Sequence, residues 1–305
     1  MLRGGLFGVT SFVVSLSTQM HGKGGMVTKH ILIPIDGSEY GKTAIEYGVY
    51  LAKKLDARLT GLHVIDINLM QIPALADVSG AVGLPLYHDF LPAIERGLEE
   101  KAEAILHAFS KKCSESGVQA EVKKAAGIIE ETIIETGKHA DWIILAQRGE
   151  HFHFGEEGIL GSTAETVVRT SGKPVMVTPA SFHEISRITL AYDGSPSAES
   201  ALMLAAELTA ETSWPLSVVI VSRDKRGGTE LAEKMKTLLN TRNIKGEIDV
   251  IRGNEDRELV RLVREGNVEL MIMGAYGHNR LRELILGSTT SSVIRKSTVP
   301  VFLTR

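Results

Sequence analysis

The chain carries the same sequence unit twice. An apolar run that ends in Asp-Gly-Ser occupies residues 33–38 and recurs at residues 190–195, which is 157 residues later. The run Gly161-Ser162-Thr163 recurs as Gly287-Ser288-Thr289, only 126 residues later. The first unit is therefore the longer one, and its additional residues fall at about 67–97. A duplication on this scale predicts two domains that share one fold.

Short apolar runs alternate with helical patterns inside each unit, which is typical of a parallel sheet covered by helices on both faces. The first unit contains five predicted strands, at 30–35, 58–65, 119–124, 142–146 and 174–178. In the second unit, Ser195 and Pro196 precede an apolar stripe at helical spacing, which predicts a helix directly after the first strand. The pattern therefore predicts the α/β class, with two tandem domains that each contain a five-stranded parallel sheet.

The predicted division of the chain is an N-terminal extension (1–25), a first domain (26–182) and a second domain (186–305). Residues 6–16 are apolar but too few for a membrane-spanning helix, which needs about 20 residues. No small-x-small cleavage site precedes Met20, so the segment does not match a secretory leader. We interpret residues 1–25 as a tail or an upstream-start artefact, with Met26 as the functional start.

The additional residues of the first domain are rich in proline. The segment 67–97 contains Pro73, Pro85 and Pro92. Proline ends or kinks a helix, so the segment is expected to be a loop or a broken helix, with a regular helix beginning near Glu95.

Composition narrows the class of protein. Hydrophobic residues make up 43% and charged residues 23% of the 305 residues, which predicts a folded, soluble chain. The net charge of -3 shows no basic excess, so nucleic acid is not an expected partner. The single cysteine, Cys113, permits no intramolecular disulfide, and a cytoplasmic location is expected. Membrane binding is not expected either.

Glycines and hydroxyl residues of the second domain form a spaced pattern, Gly274-x2-Gly277-x9-Gly287-Ser288-Thr289. Ligands of open parallel sheets bind beyond the carboxyl ends of the strands, where Asp193 also falls. Glycines let a backbone approach a phosphate, and a helix N-terminus offers it unpaired N–H groups. A lone Gly-x-x-Gly is typical of an ordinary turn, and so is Asp-Gly after a strand.

The combination of Asp-Gly-Ser, this glycine spacing and a final Pro-Val strand resembles the universal stress protein family, in both copies. The resemblance implies flavodoxin-like, adenine-nucleotide-hydrolase-like domains, some of which bind ATP. It implies that Asp193 contacts the adenosine portion together with Ala191 and Val221. The phosphates would then be held by Gly274, Gly277, Gly287, Ser288 and Thr289. It further implies that the final strands of the two copies pair as an intramolecular pseudo-dimer, with a homodimer as a further possibility.

The first copy departs from this glycine pattern. It reads Ala146-Gln147-Arg148-Gly149 and then has eleven residues before Gly161-Ser162. The loop between contains Glu150, Glu156 and Glu157, whereas the second copy has Arg280, Arg282 and Glu283 there. Carboxylates oppose a bound anion. We therefore expect the nucleotide chiefly in the second copy, and Asp36, Gly149, Gly161 and Ser162 are weaker candidates.

The expected function is that of a stress-response protein that binds ATP or a related adenine nucleotide as a regulatory or sensor module. Neither glycine loop is followed by a Walker lysine, so hydrolysis is expected to be slow or absent. No metal-ligand set is evident from spacing, although magnesium could accompany ATP. Two alternatives stay open: a nucleotide-free interaction protein with an unknown protein partner, and a slow ATPase. His63 is interpreted as a satisfied core residue and Cys113 as an unreactive thiol.

Overall fold

The computed structural model describes residues 29–69, 86–149, 160–265, 268–275 and 286–305. The proposed extension at 1–25, Pro73, Pro85 and Gly277 lie outside these ranges. The first copy consists of β1 (His30–Pro34), α1 (Glu39–Leu55), β2 (Arg58–Asp66), a 3-10 turn (Ile67–Leu69), α2 (Leu86–Glu115), β3 (Ala120–Gly127), α3 (Ile129–Gly137), β4 (Trp142–Ala146), α4 (Ser162–Thr170) and β5 (Val175–Thr178). The predicted order of five strands is confirmed.

The second copy repeats this order. It consists of β6 (Ile188–Ala191), α5 (Pro196–Thr212), β7 (Leu216–Ser222), α6 (Lys225–Thr241), β8 (Gly246–Arg252), α7 (Glu255–Arg264), β9 (Met271–Gly274), α8 (Ser288–Lys296) and β10 (Val301–Thr304). Ser195 is the N-cap of α5, and its hydroxyl accepts a hydrogen bond from the Ala198 N–H at 3.2 Å. Among the described helices, none is both long enough and apolar enough to span a membrane.

The ten strands form one sheet in the order β3-β2-β1-β4-β5-β10-β9-β6-β7-β8. Neighbouring strands are parallel within each copy, which confirms the predicted fold class. The two copies join where β5 and β10 pair antiparallel, with Met176 opposite Phe302. This junction removes two unpaired sheet edges, and it confirms the implied pairing of the final strands.

Side chains of the sheet divide between two apolar cores, one on each face. Ile31 and Ile33 belong to one core, and Leu32 between them belongs to the other, as the alternation of a strand requires. Both cores contain residues of both copies. At the junction, the rings of Trp142 and Phe302 meet edge to face with centroids 5.2 Å apart. The two copies therefore share a core and a sheet.

The helix that follows the insertion begins earlier than predicted. Helix α2 starts at Leu86 rather than near Glu95, and Pro92 lies inside it. Proline in the second turn removes one backbone hydrogen bond, and the turns that follow hold the helix against the sheet. Ala102 and Phe109 of these turns are fully buried. Tertiary packing thus outweighs the local helix-breaking signal.

Candidate functional site

The Asp-Gly-Ser runs form matching turns at the ends of β1 and β6. Gly37 and Gly194 have φ angles of +86° and +78°, a conformation that side chains rarely adopt. Asp36 Oδ1 accepts hydrogen bonds from the Ser38 N–H at 3.0 Å and the Ser38 hydroxyl at 2.7 Å. Asp193 Oδ1 accepts from the Ser195 N–H at 2.9 Å. Each aspartate therefore shapes the turn that leads into a helix, as well as lying at the carboxyl edge.

Each copy has a switch point where a ligand crevice is expected. The strand order is β2-β1-β4 in the first copy and β9-β6-β7 in the second. At the central strand of each set, the connections to its two neighbours run in opposite directions across the sheet, which defines the switch point. In the second copy, Ala191 ends β6 opposite Met273 of β9, and Val221 lies near the end of β7. The structure thus brings Ala191, Val221 and Asp193 to the carboxyl ends of two adjacent strands.

Gly274 is required for close packing between a strand and a helix. A Cβ at this position would lie 2.9 Å from the Ser197 Cβ and 3.0 Å from the Ala198 N, at the start of α5. Its lack of a side chain is therefore explained by its neighbours without any ligand. The loop that continues from it, with Gly277, lies outside the described residues.

Helix α8 begins beside the end of β9. The Thr290 hydroxyl donates to the Ala275 carbonyl at 3.2 Å, which holds the two elements together. Gly287 is the N-cap and has no side chain to satisfy the first N–H groups, and the first turn contains no acidic residue. Ser288 is exposed, whereas the Thr289 hydroxyl donates to the Asp256 carboxylate on α7. Gly287 and Ser288 thus lie where an anion could meet the helix terminus.

The matching terminus of α4 is less suited to an anion. The Gly161 N–H donates to the Gln147 carbonyl at 2.9 Å, so it is already engaged. Glu165 lies in the first turn of α4, where α8 has no acid. The charged loop residues compared in the sequence lie outside the described residues, but the described helix termini differ in the same direction, since α4 has an acid in its first turn and α8 has none.

A cavity of about 290 Å³ lies in the first copy, at the carboxyl ends of β1, β2 and β4. All four weaker candidates, Asp36, Gly149, Gly161 and Ser162, line it. Gly149 lies close to Asp36, because a Cβ on it would be 3.0 Å from Asp36 Oδ2. The copy with the altered glycine motif therefore has a formed cavity, which the sequence did not predict.

The polar lining of this cavity includes residues that the sequence did not single out as ligand contacts, among them His63, Lys101 and Arg148. Arg148 Nη1 donates to the Tyr40 hydroxyl at 3.3 Å, and its guanidinium lies over the Tyr40 ring. His63 is 8% exposed, and its Nδ1 lies 2.8 Å from the Ile35 carbonyl. A histidine inside an apolar run was the available signal, and it was interpreted as core.

Burial is the largest cause of the pKa shifts of Cys113, His30 and Tyr192. Desolvation raises the pKa of the Cys113 thiol to about 12, which makes this buried cysteine a poor nucleophile. Burial also lowers the pKa of His30, whose Nε2 lies 2.6 Å from the Thr60 hydroxyl. Desolvation raises the pKa of Tyr192, beside Asp193. In the part of the chain that the structure describes, no three His, Cys, Asp or Glu residues group as a metal site.

Comparison with known proteins identifies a family for both copies. The universal stress protein family matches residues 28–179 and 184–305. A universal stress protein of Synechocystis sp. is 29% identical over 287 residues, covering 91% of this chain and 100% of that protein. The crystal structure of a universal stress protein from Archaeoglobus fulgidus superposes with a TM-score of 0.71 at 27% identity, covering 90% of this chain and 98% of the other. A structure from Pseudomonas aeruginosa shares the fold, with a TM-score of 0.62 at 15% identity over 91% of this chain and 93% of that one.

Proposed function

Because this chain belongs to the universal stress protein family, we propose that it acts in stress response by binding ATP or a related adenine nucleotide, chiefly in its second copy. Binding stabilises the loops at the carboxyl edge of the second copy and so alters a surface for a protein partner. In this proposal the nucleotide is a regulatory ligand with little or no hydrolysis, and the protein works in the cytoplasm.

The observation that carries this proposal is the N-terminus of α8. It begins at a glycine, contains no acid in its first turn and is fastened beside the end of β9 at the switch point. A helix N-terminus has a partial positive charge and unpaired N–H groups, which together stabilise a phosphate. Gly287 and the exposed Ser288 are the groups of this terminus that a phosphate would meet.

The remaining proposed contacts divide by their place in the fold. Ala191, Asp193 and Val221 lie where the adenosine portion would sit, at the ends of β6 and β7. Thr289 is bonded to Asp256, so its part in phosphate binding would be through its backbone N–H. Gly274 makes room for α5, and we propose that Gly277 supplies the close backbone approach. Magnesium would neutralise phosphate charge, and the titration below is run with and without it.

The two other candidates make different predictions. A nucleotide-free interaction protein binds its partner through the insertion of the first copy and shows no response to ATP. A slow ATPase binds ATP and releases phosphate. A homodimer would be an addition to the intramolecular pseudo-dimer formed by β5 and β10.

Calorimetric titration of the full chain with ATP tests the proposal directly. We expect one binding event that survives without magnesium, a rise in melting temperature, and phosphate release no faster than the uncatalysed background. No heat and no thermal shift at millimolar ATP would favour the interaction protein. Continuous phosphate release that exceeds the amount of protein would favour the ATPase.

A further inference from the structure

The sheet ends in two edge strands, β3 in the first copy and β8 in the second. Within the described residues, neither strand has a neighbour on its outer side. An edge of this kind presents a row of backbone N–H and C=O groups that can pair with a strand of another chain. Because the two edges are equivalent by duplication, their side chains can be compared position by position.

The first copy protects its edge with a lysine, and the second copy does not. Lys124 of β3 is exposed and forms ion pairs with Glu99 and Glu103 of α2. Val250 lies 126 residues later, at the same position of the repeat, and is 46% exposed on β8. Charged side chains, lysine above all, discourage strand edges from associating, whereas an exposed apolar residue favours association. The edge of β8 is therefore the one suited to a partner.

The outward backbone groups of β8 belong to alternate residues. The Gly253 N–H donates to the Ser222 carbonyl at 3.1 Å, on the β7 side, and the register between β7 and β8 is regular over the whole strand. The backbone groups of successive residues point to opposite sides of a strand, so those of Ile248, Val250 and Arg252 point away from β7. Val250 is the central residue of these three, and its N–H and C=O can bond a strand that is added at this edge.

The charges along β8 limit how a second copy of the chain can pair with it. Two copies related by a two-fold axis pair antiparallel, and the axis passes through one pair of identical residues. An axis at Ile248 would place Glu247 opposite the partner's Asp249, and an axis at Asp249 would place that residue opposite itself. Both arrangements oppose like charges, which destabilises strand pairing. An axis at Val250 places no like charges directly opposite each other along the strand, and it sets Val250 against its own copy in a hydrogen-bonded pair.

Residues just beyond the two ends of β8 have opposite charges. Lys245 directly precedes β8 and is exposed, and Glu255 begins α7 three residues after the strand ends. The side chain of Glu255 is 45% exposed, and its ion pair with Arg223 is long, at 3.8 Å. With the axis at Val250, Lys245 lies opposite the partner's Glu255, and the symmetry repeats this contact at the other end. The edge is therefore complementary to itself in charge.

We propose that β8 is a self-association edge, at which two copies of this chain pair antiparallel about a two-fold axis at Val250. Val250 packs against its own copy, and Lys245 forms an ion pair with the partner's Glu255 at each end. A contact through one short strand is small beside the roughly 1,200 to 2,000 Å² of a stable interface, so the dimer is weak and depends on concentration. This edge is the surface of the homodimer considered above, and its pairing does not depend on a bound nucleotide.

Sedimentation velocity of the full chain without nucleotide measures the association over a wide range of concentration. The parent chain is expected to shift from monomer to dimer as its concentration rises. Val250→Lys introduces the residue type that the first copy has at this position, and it should weaken association by about tenfold or more, because two like charges then meet at the axis. Its melting temperature should be close to that of the parent monomer, since position 250 is exposed. The matched control is Ala126→Lys, which adds a lysine at an exposed position of the other edge strand, β3, and should leave association unchanged.

Charge reversal tests the register. Lys245→Glu and Glu255→Lys each place like charges opposite one another at both ends of the paired strands, so each should weaken association, most clearly at low salt. The double variant restores opposite charges and should recover most of the association. A parallel or shifted pairing would not couple these two positions. Melting temperatures of the three variants separate a loss of pairing from a loss of folding.

The proposal is overturned if the parent chain stays monomeric at the highest concentration, or if Val250→Lys associates as the parent does. It is also overturned if Ala126→Lys weakens association as much as Val250→Lys does, because the effect would then not be specific to β8. A double charge variant that associates no better than the two single variants would likewise refute the antiparallel register. Failure of the chain to bind ATP would refute the nucleotide proposal and leave these results unaffected.

Discussion

A single carboxylate at the start of α8 tests the nucleotide site with opposite effects on binding and on stability. Ser288 is exposed and is the first residue of α8, with no acid elsewhere in that turn. For the estimate, we take the glutamate carboxylate to be about one helical turn, roughly 6 Å, from a phosphate bound at the terminus. With an effective dielectric constant between roughly 20 and 80, the repulsion of two unit charges is about 0.7 to 2.8 kcal/mol. We therefore expect Ser288→Glu to weaken ATP about tenfold, which corresponds to about 1.4 kcal/mol.

Stability should change in the other direction. An acidic side chain in the first turn of a helix stabilises it by about 0.3 to 1 kcal/mol, so the melting temperature of Ser288→Glu should be unchanged or higher. A loss of affinity then cannot be attributed to unfolding. The repulsion should also shrink as salt is raised, because the Debye length falls from about 10 Å at 0.1 M to about 3 Å at 1 M.

The duplication supplies the matched control. Ser162 is the exposed first residue of α4 and corresponds to Ser288, so Ser162→Glu makes the same change in the first copy. Calorimetry with ATP on both variants should show a loss only for Ser288→Glu. Unchanged affinity in Ser288→Glu together with a loss in Ser162→Glu would refute the assignment of the nucleotide to the second copy.

Three further predictions concern packing and reactivity. Gln147→Leu should lower the free energy of unfolding by about 1 to 3 kcal/mol in urea. The buried Gln147 amide donates to the Ile294 carbonyl at 2.6 Å and to the Ser297 carbonyl at 3.0 Å, and both bonds would be lost. An unchanged urea midpoint would contradict this. Gly274→Ala should also lower the free energy of unfolding by about 1 to 3 kcal/mol. The new Cβ would lie 2.9 Å from the Ser197 Cβ, so adding Ser197→Gly to the same chain should recover part of the lost stability in thermal unfolding. Cys113 should react with an aromatic disulfide at pH 8 only after unfolding in urea, because the thiol is buried and a pKa of about 12 leaves it almost entirely protonated. Rapid labelling of the native chain would contradict this, since it requires an accessible and ionised thiol.

Local sequence patterns were sufficient to predict the strands of this fold. The alternation of apolar runs with helical stripes located all five strands of the first copy, and Trp142–Ala146 coincides with its predicted bounds. Asp-Gly-Ser identified both turns because the requirement for a positive φ is local to Gly37 and Gly194. The start of α2 was wrong because Pro92 acts against a helix locally, while the buried residues that hold α2 against the sheet act over long distances.

The glycine spacing could be interpreted only with the neighbouring helices in place. Gly274 matches a phosphate motif in sequence, yet its lack of a Cβ is required by Ser197 of α5. The second copy was ranked above the first as a nucleotide site because of Ala146 and the loop charges of the first copy. Neither feature indicated whether the first copy has a cavity. Whether a cavity exists depends on how three strand ends and their helices meet, and that arrangement cannot be obtained from a linear spacing.

Repetition along the chain was therefore enough to predict two α/β units, and local apolar patterns were enough to predict the strands along the first unit. The order of those strands in the sheet was decided by tertiary structure. Tertiary packing decided which polar atoms are satisfied. His63 appears in sequence as one more core residue, but folding places it in the wall of a cavity, with its Nδ1 2.8 Å from the Ile35 carbonyl. Gln147 appears as a loop residue, but folding places its amide at the end of a helix in the other copy. Hydrogen-bond satisfaction depends on atoms far apart in the chain, so only their meeting in three dimensions reveals which groups are available to a ligand.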